Sequence, residues 1–134
     1  METVIETSMW VDFFRPKTPV AVKAQIKAWI LRPDLALCEP VLCELLRSAS
    51  AAQRPVIARH FATIPVLSTP SKLWSDATRL GQQCYDAGII VGALDLLIAT
   101  VCLHHNVELI TFDKLFAEIA RISRLRARVL DRAG

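Results

Sequence analysis

No CxxC pair, no glycine-rich phosphate fingerprint and no long apolar run occurs in this chain of 134 residues. Its four cysteines, Cys38, Cys43, Cys84 and Cys102, stand apart among apolar neighbours. They indicate neither a thiolate metal site nor a disulfide framework, and reduced thiols of a cytosolic protein are expected. The missing GxGxxG, GxxxxGK(S/T) and GxSxG patterns exclude the dinucleotide fingerprint, the P-loop and the hydrolase elbow. The longest apolar stretch, 88–103, is broken by Asp95 and falls short of the roughly 20 residues of a membrane span. Glu2 and Glu6 stand where an export signal would carry positive charge before an apolar run. A cytoplasmic protein without a membrane partner is therefore expected. No repeat, low-complexity tract or dividing linker interrupts 1–134, which reads as a single domain.

What is present is a core. Hydrophobic residues make up 53% of the chain and charged ones only 22%, a balance that excludes disorder and can bury a substantial interior. The net charge of +3 is too mild to announce a nucleic-acid binder by itself. Its distribution is uneven: residues 114–134 carry six basic side chains against two acidic ones, whereas the first 113 residues have a net charge of −1.

Local pattern alternates strand and helix. Residues 3–5 read as a very short strand running into Thr7 and Ser8, whose hydroxyls suit a helix N-cap, and then an amphipathic turn from Met9 to Phe14. Helices are expected at 20–31, 41–50, 51–61, 72–87, 93–105 and 114–124, with Pro40 opening the second and residues 68–71 capping the fourth. Strands are expected at 35–38, 64–67, 107–111 and 128–130. His104, His105 and Asn106 read as a helix C-terminus with Asn as the cap. The Met9, Trp10, Phe13 and Phe14 group reads as core or dimer-interface packing. This alternation gives an α/β domain, with a short-stranded, mainly parallel sheet flanked by helices. In such sheets ligands sit at the carboxyl ends of the strands.

Four acids fall where that rule directs attention. Glu6 follows the first strand, Asp113 follows the strand at 107–111, Asp95 interrupts an apolar helix, and Glu44 sits among Val41, Leu42, Leu45 and Leu46. Brought together, these carboxylates would raise one another's pKa unless a divalent cation neutralised them, and oxygen-only ligation points to Mg²⁺ or Mn²⁺. Three of the acids also have a simpler reading: Asp95 as a helix N-cap, Glu44 as a surface partner of Arg47, Asp113 as the cap of the helix at 114–124; Glu6 alone says little.

The segments Ile5-Glu6-Thr7-Ser8-Met9-Trp10-Val11-Asp12, Pro40-Val41-Leu42-Cys43-Glu44-Leu45-Leu46, Asp95-Leu96-Leu97-Ile98-Ala99-Thr100 and Thr111-Phe112-Asp113-Lys114-Leu115-Phe116 resemble the ordered motifs of a PIN domain. More narrowly, they resemble those of VapC-type ribonuclease toxins of toxin–antitoxin systems. The resemblance implies a three-layer PIN-like domain whose acidic quartet is Glu6, Glu44, Asp95 and Asp113, with Thr7 or Ser8 and Thr111 as supporting hydroxyls. It departs from the family at Glu6, where the first motif ordinarily has Asp; the extra methylene displaces the carboxylate, and Mg²⁺ tolerates displaced ligands poorly.

The resemblance further implies metal-dependent hydrolysis of RNA, tRNA or another structured RNA, with Asp95 or Asp113 assisting deprotonation of water. Arg15, Lys17 and Lys114 are expected to offset repulsion between the acids and RNA. The partners implied are a VapB-type antitoxin and a second copy of the chain. The basic tail at 121–132 suits RNA, the antitoxin or plain solvation. A second class of function also fits: a PIN domain weakened at Glu6 that acts as an antitoxin-binding, regulatory module. A phospho-receiver domain does not fit, because residues 64–70 supply no acceptor Asp.

Overall fold

A computed structural model describes residues 2–134. The chain forms β1 (Thr3–Ile5), α1 (Thr7–Phe14), α2 (Val20–Ile30), β2 (Leu35–Ala36), α3 (Glu39–Arg47), α4 (Gln53–Phe61), α5 (Leu73–Asp86), α6 (Ala93–His105), β3 (Glu108–Thr111), α7 (Leu115–Ile122) and β4 (Arg126–Val129). The four strands make one parallel sheet in the order β2-β1-β3-β4. This is the expected α/β architecture. In the central strands, Val4, Ile5, Leu109 and Ile110 are buried completely or nearly so, as befits a parallel sheet covered on both faces.

The strand order sets the position of the site. From β1 the chain first builds outward to β2, then returns to add β3 and β4 on the other side, so the direction of winding switches between β1 and β3. The carboxyl ends of the two strands flanking a switch point frame the crevice where doubly wound sheets bind ligands. Here those ends are stitched together: Thr3, Val4 and Ile5 stand opposite Glu108, Leu109 and Ile110, and the backbone N–H of Glu6 donates to Ile110 O at 2.9 Å.

Helix α3 packs against both α1 and α6, and α5 packs against α6 and α7. Trp10 anchors the first group. Its fully buried ring stacks on Phe14 at 6.0 Å and meets Phe61 edge-on at 4.8 Å. Met9 and Trp10 are thus core residues, and Phe13 and Phe14 pack against them half-buried. Asn106 adopts φ 52°, the left-handed cap that ends α6. Among the described residues, no helix is long and apolar enough to cross a membrane. Cys38, Cys84 and Cys102 are buried free thiols, whereas Cys43 is exposed.

Four local expectations are corrected. The strand at 64–67 does not form; Leu37 and Val66 make only an isolated parallel bridge. Pro65 lacks the N–H that a longer ladder needs, although its carbonyl still accepts from Leu37 N at 2.8 Å. The expected strand at 35–38 shortens to Leu35–Ala36, the two residues that pair with Thr3 and Val4 of β1. No side chain of residues 68–71 caps α5, which starts after Lys72. At α1 the cap is the carboxylate of Glu6, not a hydroxyl: it accepts the Ser8 N–H at 3.1 Å.

Candidate metal centre

Glu6 is buried, with only 3% of its surface exposed. Its backbone is extended, at φ −76° and ψ 158°, because it finishes β1 and begins α1 in a single residue. Two hydroxyls hold its carboxylate. Ser8 Oγ donates to Oε1 at 2.6 Å and Thr111 Oγ1 donates to the same oxygen at 2.5 Å. Burial pushes the Glu6 carboxyl above the usual range, the Ser8 and Thr111 hydrogen bonds pull it back, and the charge of Asp95 adds to the rise.

Glu44 arrives from α3. Pro40, Val41 and Leu45 bury the inner face of that helix, and Glu44, three residues after Val41, stands half-buried at the edge of the face. Asp95 is the third residue of α6, whose N-cap is Gly92. An acid in the first turn faces the positive end of the helix dipole, yet Asp95 makes no capping hydrogen bond. The simpler reading of Asp95 as an N-cap is therefore corrected. The pairing of Glu44 with Arg47 is also absent among the described residues.

One oxygen from each of Glu6, Glu44 and Asp95 lies within 4.8 Å of the others. Burial, followed by the charges of Glu44 and Asp113, pushes the Asp95 carboxyl up to about 6. Asp113 lines the same cavity but stands outside that close trio. Its Oδ1 accepts the Leu115 N–H at 2.9 Å, but the N-cap position of α7 is Lys114, one residue later, so the simpler reading of Asp113 as the N-cap is corrected. Thr111 Oγ1 accepts from Asp113 N at 2.8 Å while donating to Glu6. Ser8 Oγ accepts from Phe112 N at 3.4 Å. Thr7 behaves differently from Ser8: it lines the cavity, and its buried Oγ1 has no hydrogen-bond partner.

The residues fit a divalent cation. The donors are all oxygens, three carboxylates converge with no cationic side chain bonded to them among the described residues, and an unpartnered hydroxyl lies beside them. A hard cation with oxygen ligands resolves both the repulsion and the orphaned polar atom. Glu6, despite its extra methylene, belongs to the trio. It reaches because it is held at its root by the β1–α1 junction and at its tip by Ser8 and Thr111.

The cavity of about 410 Å³ around these acids is also lined by Arg15, Arg47 and Arg132. Of the three basic residues expected near the acids, Arg15 is in place, Lys17 lines an adjoining cavity, and Lys114 lines neither. Sequence reasoning takes Arg47 only as a partner of Glu44 and Arg132 only as part of the basic tail at 121–132, and places neither beside the acids. Arg132 gave no local signal, for its partner is Asp12, bonded at 2.7 Å across 120 residues of chain. The basic tail is likewise not one strip: Arg128 pairs with Glu108 and lies over Trp29, while Arg132 turns to the acid cavity.

Comparison with known proteins gives the family and the fold. The chain is 28% identical over 130 residues to VapC ribonuclease Mb1587 of Mycobacterium bovis and to Ribonuclease VapC11 of Mycobacterium tuberculosis, covering 92% of this chain and 96% of each relative. Its fold is similar to the crystal structure of VapBC2 from Rickettsia felis bound to a promoter DNA fragment, with a TM-score of 0.77 and 22% identity over 98% of this chain and 100% of that one. It is similar also to DNA-bound VapBC from Salmonella typhimurium, with a TM-score of 0.74 and 17% identity over 96% and 98% of the two chains. The model of the PIN domain family matches residues 3–122, which take in β1, the switch point and all four acids; the chain belongs to the PIN domain family.

Proposed function

We propose that this protein is a VapC-type endoribonuclease toxin that hydrolyses phosphodiester bonds of tRNA or another structured RNA and is neutralised by a VapB-type antitoxin. The observation that carries this reading is the convergence of Glu6, Glu44 and Asp95 from three separate elements. The names of the relatives support the substrate class and the antitoxin. Cytoplasmic location and a homodimer are part of the same reading.

Glu6, Glu44 and Asp95, with Asp113 at the rim, would hold one or two Mg²⁺ or Mn²⁺ ions. Such an ion, when bound, supplies Lewis-acid polarisation of a phosphoryl oxygen and a lowered pKa for water. The chain's own residues do the rest. Ser8 and Thr111 fix the Glu6 carboxylate so that it cannot swing away from the site. Asp95 or Asp113 accepts the proton that an attacking water gives up. Arg15, Arg47 and Arg132 offset the repulsion between the acids and the phosphate backbone, with Lys17 farther out. Thr7 offers its free hydroxyl to a water in the cavity.

The place of Glu6 in the trio favours the enzyme over a weakened, purely antitoxin-binding module. The test is cleavage of RNA by purified, antitoxin-free protein with Mg²⁺ or Mn²⁺, with Asp95→Asn as the inactive control. Absence of cleavage by both the wild type and Glu6→Asp, with antitoxin binding retained, overturns the proposal in favour of the binding module.

A further inference from the structure

Two cavities meet at Asp12, Arg15 and Arg132. One holds the acids. The other, of about 420 Å³, is lined on its far side by Lys17, Val22 and Ala133, and its size falls in the roughly 300–1,000 Å³ of small-ligand sites. The two differ sharply in charge. The first sets the acidic quartet and Asp12 against Arg15, Arg47 and Arg132, whereas the second has Arg15, Lys17 and Arg132 against the single carboxylate of Asp12, already paired.

Arg132 is held at the boundary by a strap of chain. Leu130 N donates to Thr111 O at 2.8 Å, Gln25 Nε2 donates to Asp131 O at 2.7 Å, and Ala133 N donates to Gln25 Oε1 at 2.9 Å. The backbone on both sides of Arg132 is thereby fastened to β3 and α2. The guanidinium is fixed in turn. Its Nε donates to Asp12 Oδ2, a residue only 8% exposed, and its Cζ lies 4.6 Å from the centre of the Phe112 ring. That bond uses one of five N–H donors, and the side chain remains 53% exposed. A guanidinium already oriented by a carboxylate and an aromatic face loses little freedom on binding and presents its remaining fork to a phosphate.

We infer that Arg132 and Arg15 form an anion subsite that binds the RNA phosphate next to the scissile one, and that the second cavity receives the attached nucleotide. This rests on the ribonuclease reading above. Asp12 is the positioning residue of the subsite, and Gln25 holds the strap that carries Arg132.

The test is filter retention of labelled total cellular RNA, in EDTA so that nothing is cut, across a series of salt concentrations. Arg132→Gln is expected to weaken retention several-fold and to lower the salt slope by about one. Removing Arg132 strands the buried Asp12 carboxylate, so the double variant Asp12→Asn, Arg132→Gln provides a folded comparison that must show the same loss. Asp12→Asn alone, which keeps the cation but releases it from its fixed orientation, is expected to weaken retention less than Arg132→Gln does and to leave the salt slope unchanged. Arg132→Lys should recover only part of the affinity. Arg121→Gln, at a tail position lining neither cavity, should match the wild type. Retention unchanged by the double variant, or lost equally in Arg121→Gln, overturns the subsite while leaving the ribonuclease intact. Failure of the wild type to retain or cleave RNA removes the ribonuclease reading itself, and this inference with it.

Discussion

Thr111 Oγ1 donates to Glu6 Oε1 at 2.5 Å and accepts from Asp113 N at 2.8 Å, so one buried hydroxyl ties the end of β1 to the turn after β3. Replacing it with an isostere that cannot donate leaves a buried carboxylate short of a partner. Thr111→Val should cost about 1–3 kcal/mol of stability. It should also weaken divalent-ion affinity by roughly 10–100-fold, the usual effect of losing a group that orients a ligand. Urea denaturation and calorimetric titration with Mn²⁺ check the two effects separately. Retention of full Mn²⁺ affinity would mean that Glu6 does not depend on this tether.

Asp95→Asn should separate catalysis from stability. Activity is expected to fall by more than about 100-fold, because a ligand and a candidate proton acceptor disappear together. The metal-free variant, relieved of repulsion from Glu44 and Asp113, should nonetheless melt a few degrees higher than the metal-free wild type. A variant that loses both activity and thermal stability would show that Asp95 supports the fold.

The pH dependence follows in sign from the same carboxylate. Asp95 has a folded-state pKa of about 6 against an ordinary 3.8, so the folded protein binds the proton more tightly than the unfolded chain. Its contribution is therefore greatest when protonated, is lost as pH rises from about 4 to about 6, and is level above that. The raised pKa of buried Glu6 acts in the same direction. Because Asp95 is partly open to solvent, its share is discounted to roughly 1 kcal/mol. Denaturation of metal-free protein at several pH values should show this slope in the difference between wild type and Asp95→Asn. Added Mg²⁺ or Mn²⁺ should reverse it above pH 6, where the ligands are ionised, and have little effect near pH 4.

Trp10 does not line the acid cavity, yet α1 is capped by Glu6 and is anchored by this ring among Phe13, Phe14 and Phe61. Trp10→Ala should cost about 3–5 kcal/mol, measured by urea denaturation, and should lower activity only through the folded fraction.

Much of this site was legible because its signals are local. A carboxylate directly after a strand, as at Glu6, or among leucines, as at Glu44 and Asp95, violates the apolar pattern around it and marks itself. Asn106 likewise announced the end of α6. What escaped detection depends on distance or on a subtraction. The Asp12–Arg132 pair joins the first helix to the tail, and no periodicity connects them. Pro65 removed a donor from an otherwise convincing strand and left a single bridge. Lys114 follows Asp113 in sequence, but as the residue before α7 it stands outside both cavities, since adjacency in the chain does not fix where a side chain projects. The hydroxyl caps expected at Thr7 and Ser8 were displaced because Glu6 served as its own cap, leaving Ser8 to support the acid and Thr7 free.

The three clustered carboxylates have a thermodynamic consequence beyond catalysis. They come from β1's end, α3 and α6, so without a counterion their mutual repulsion acts as a wedge between elements that apolar packing draws together. A cation seated among them turns the wedge into a rivet. Above its dissociation constant, each tenfold rise in free ion would then add about 1.4 kcal/mol to the folded state. The folded fraction of this chain, and with it its lifetime among proteases, would track the divalent-ion activity of its surroundings.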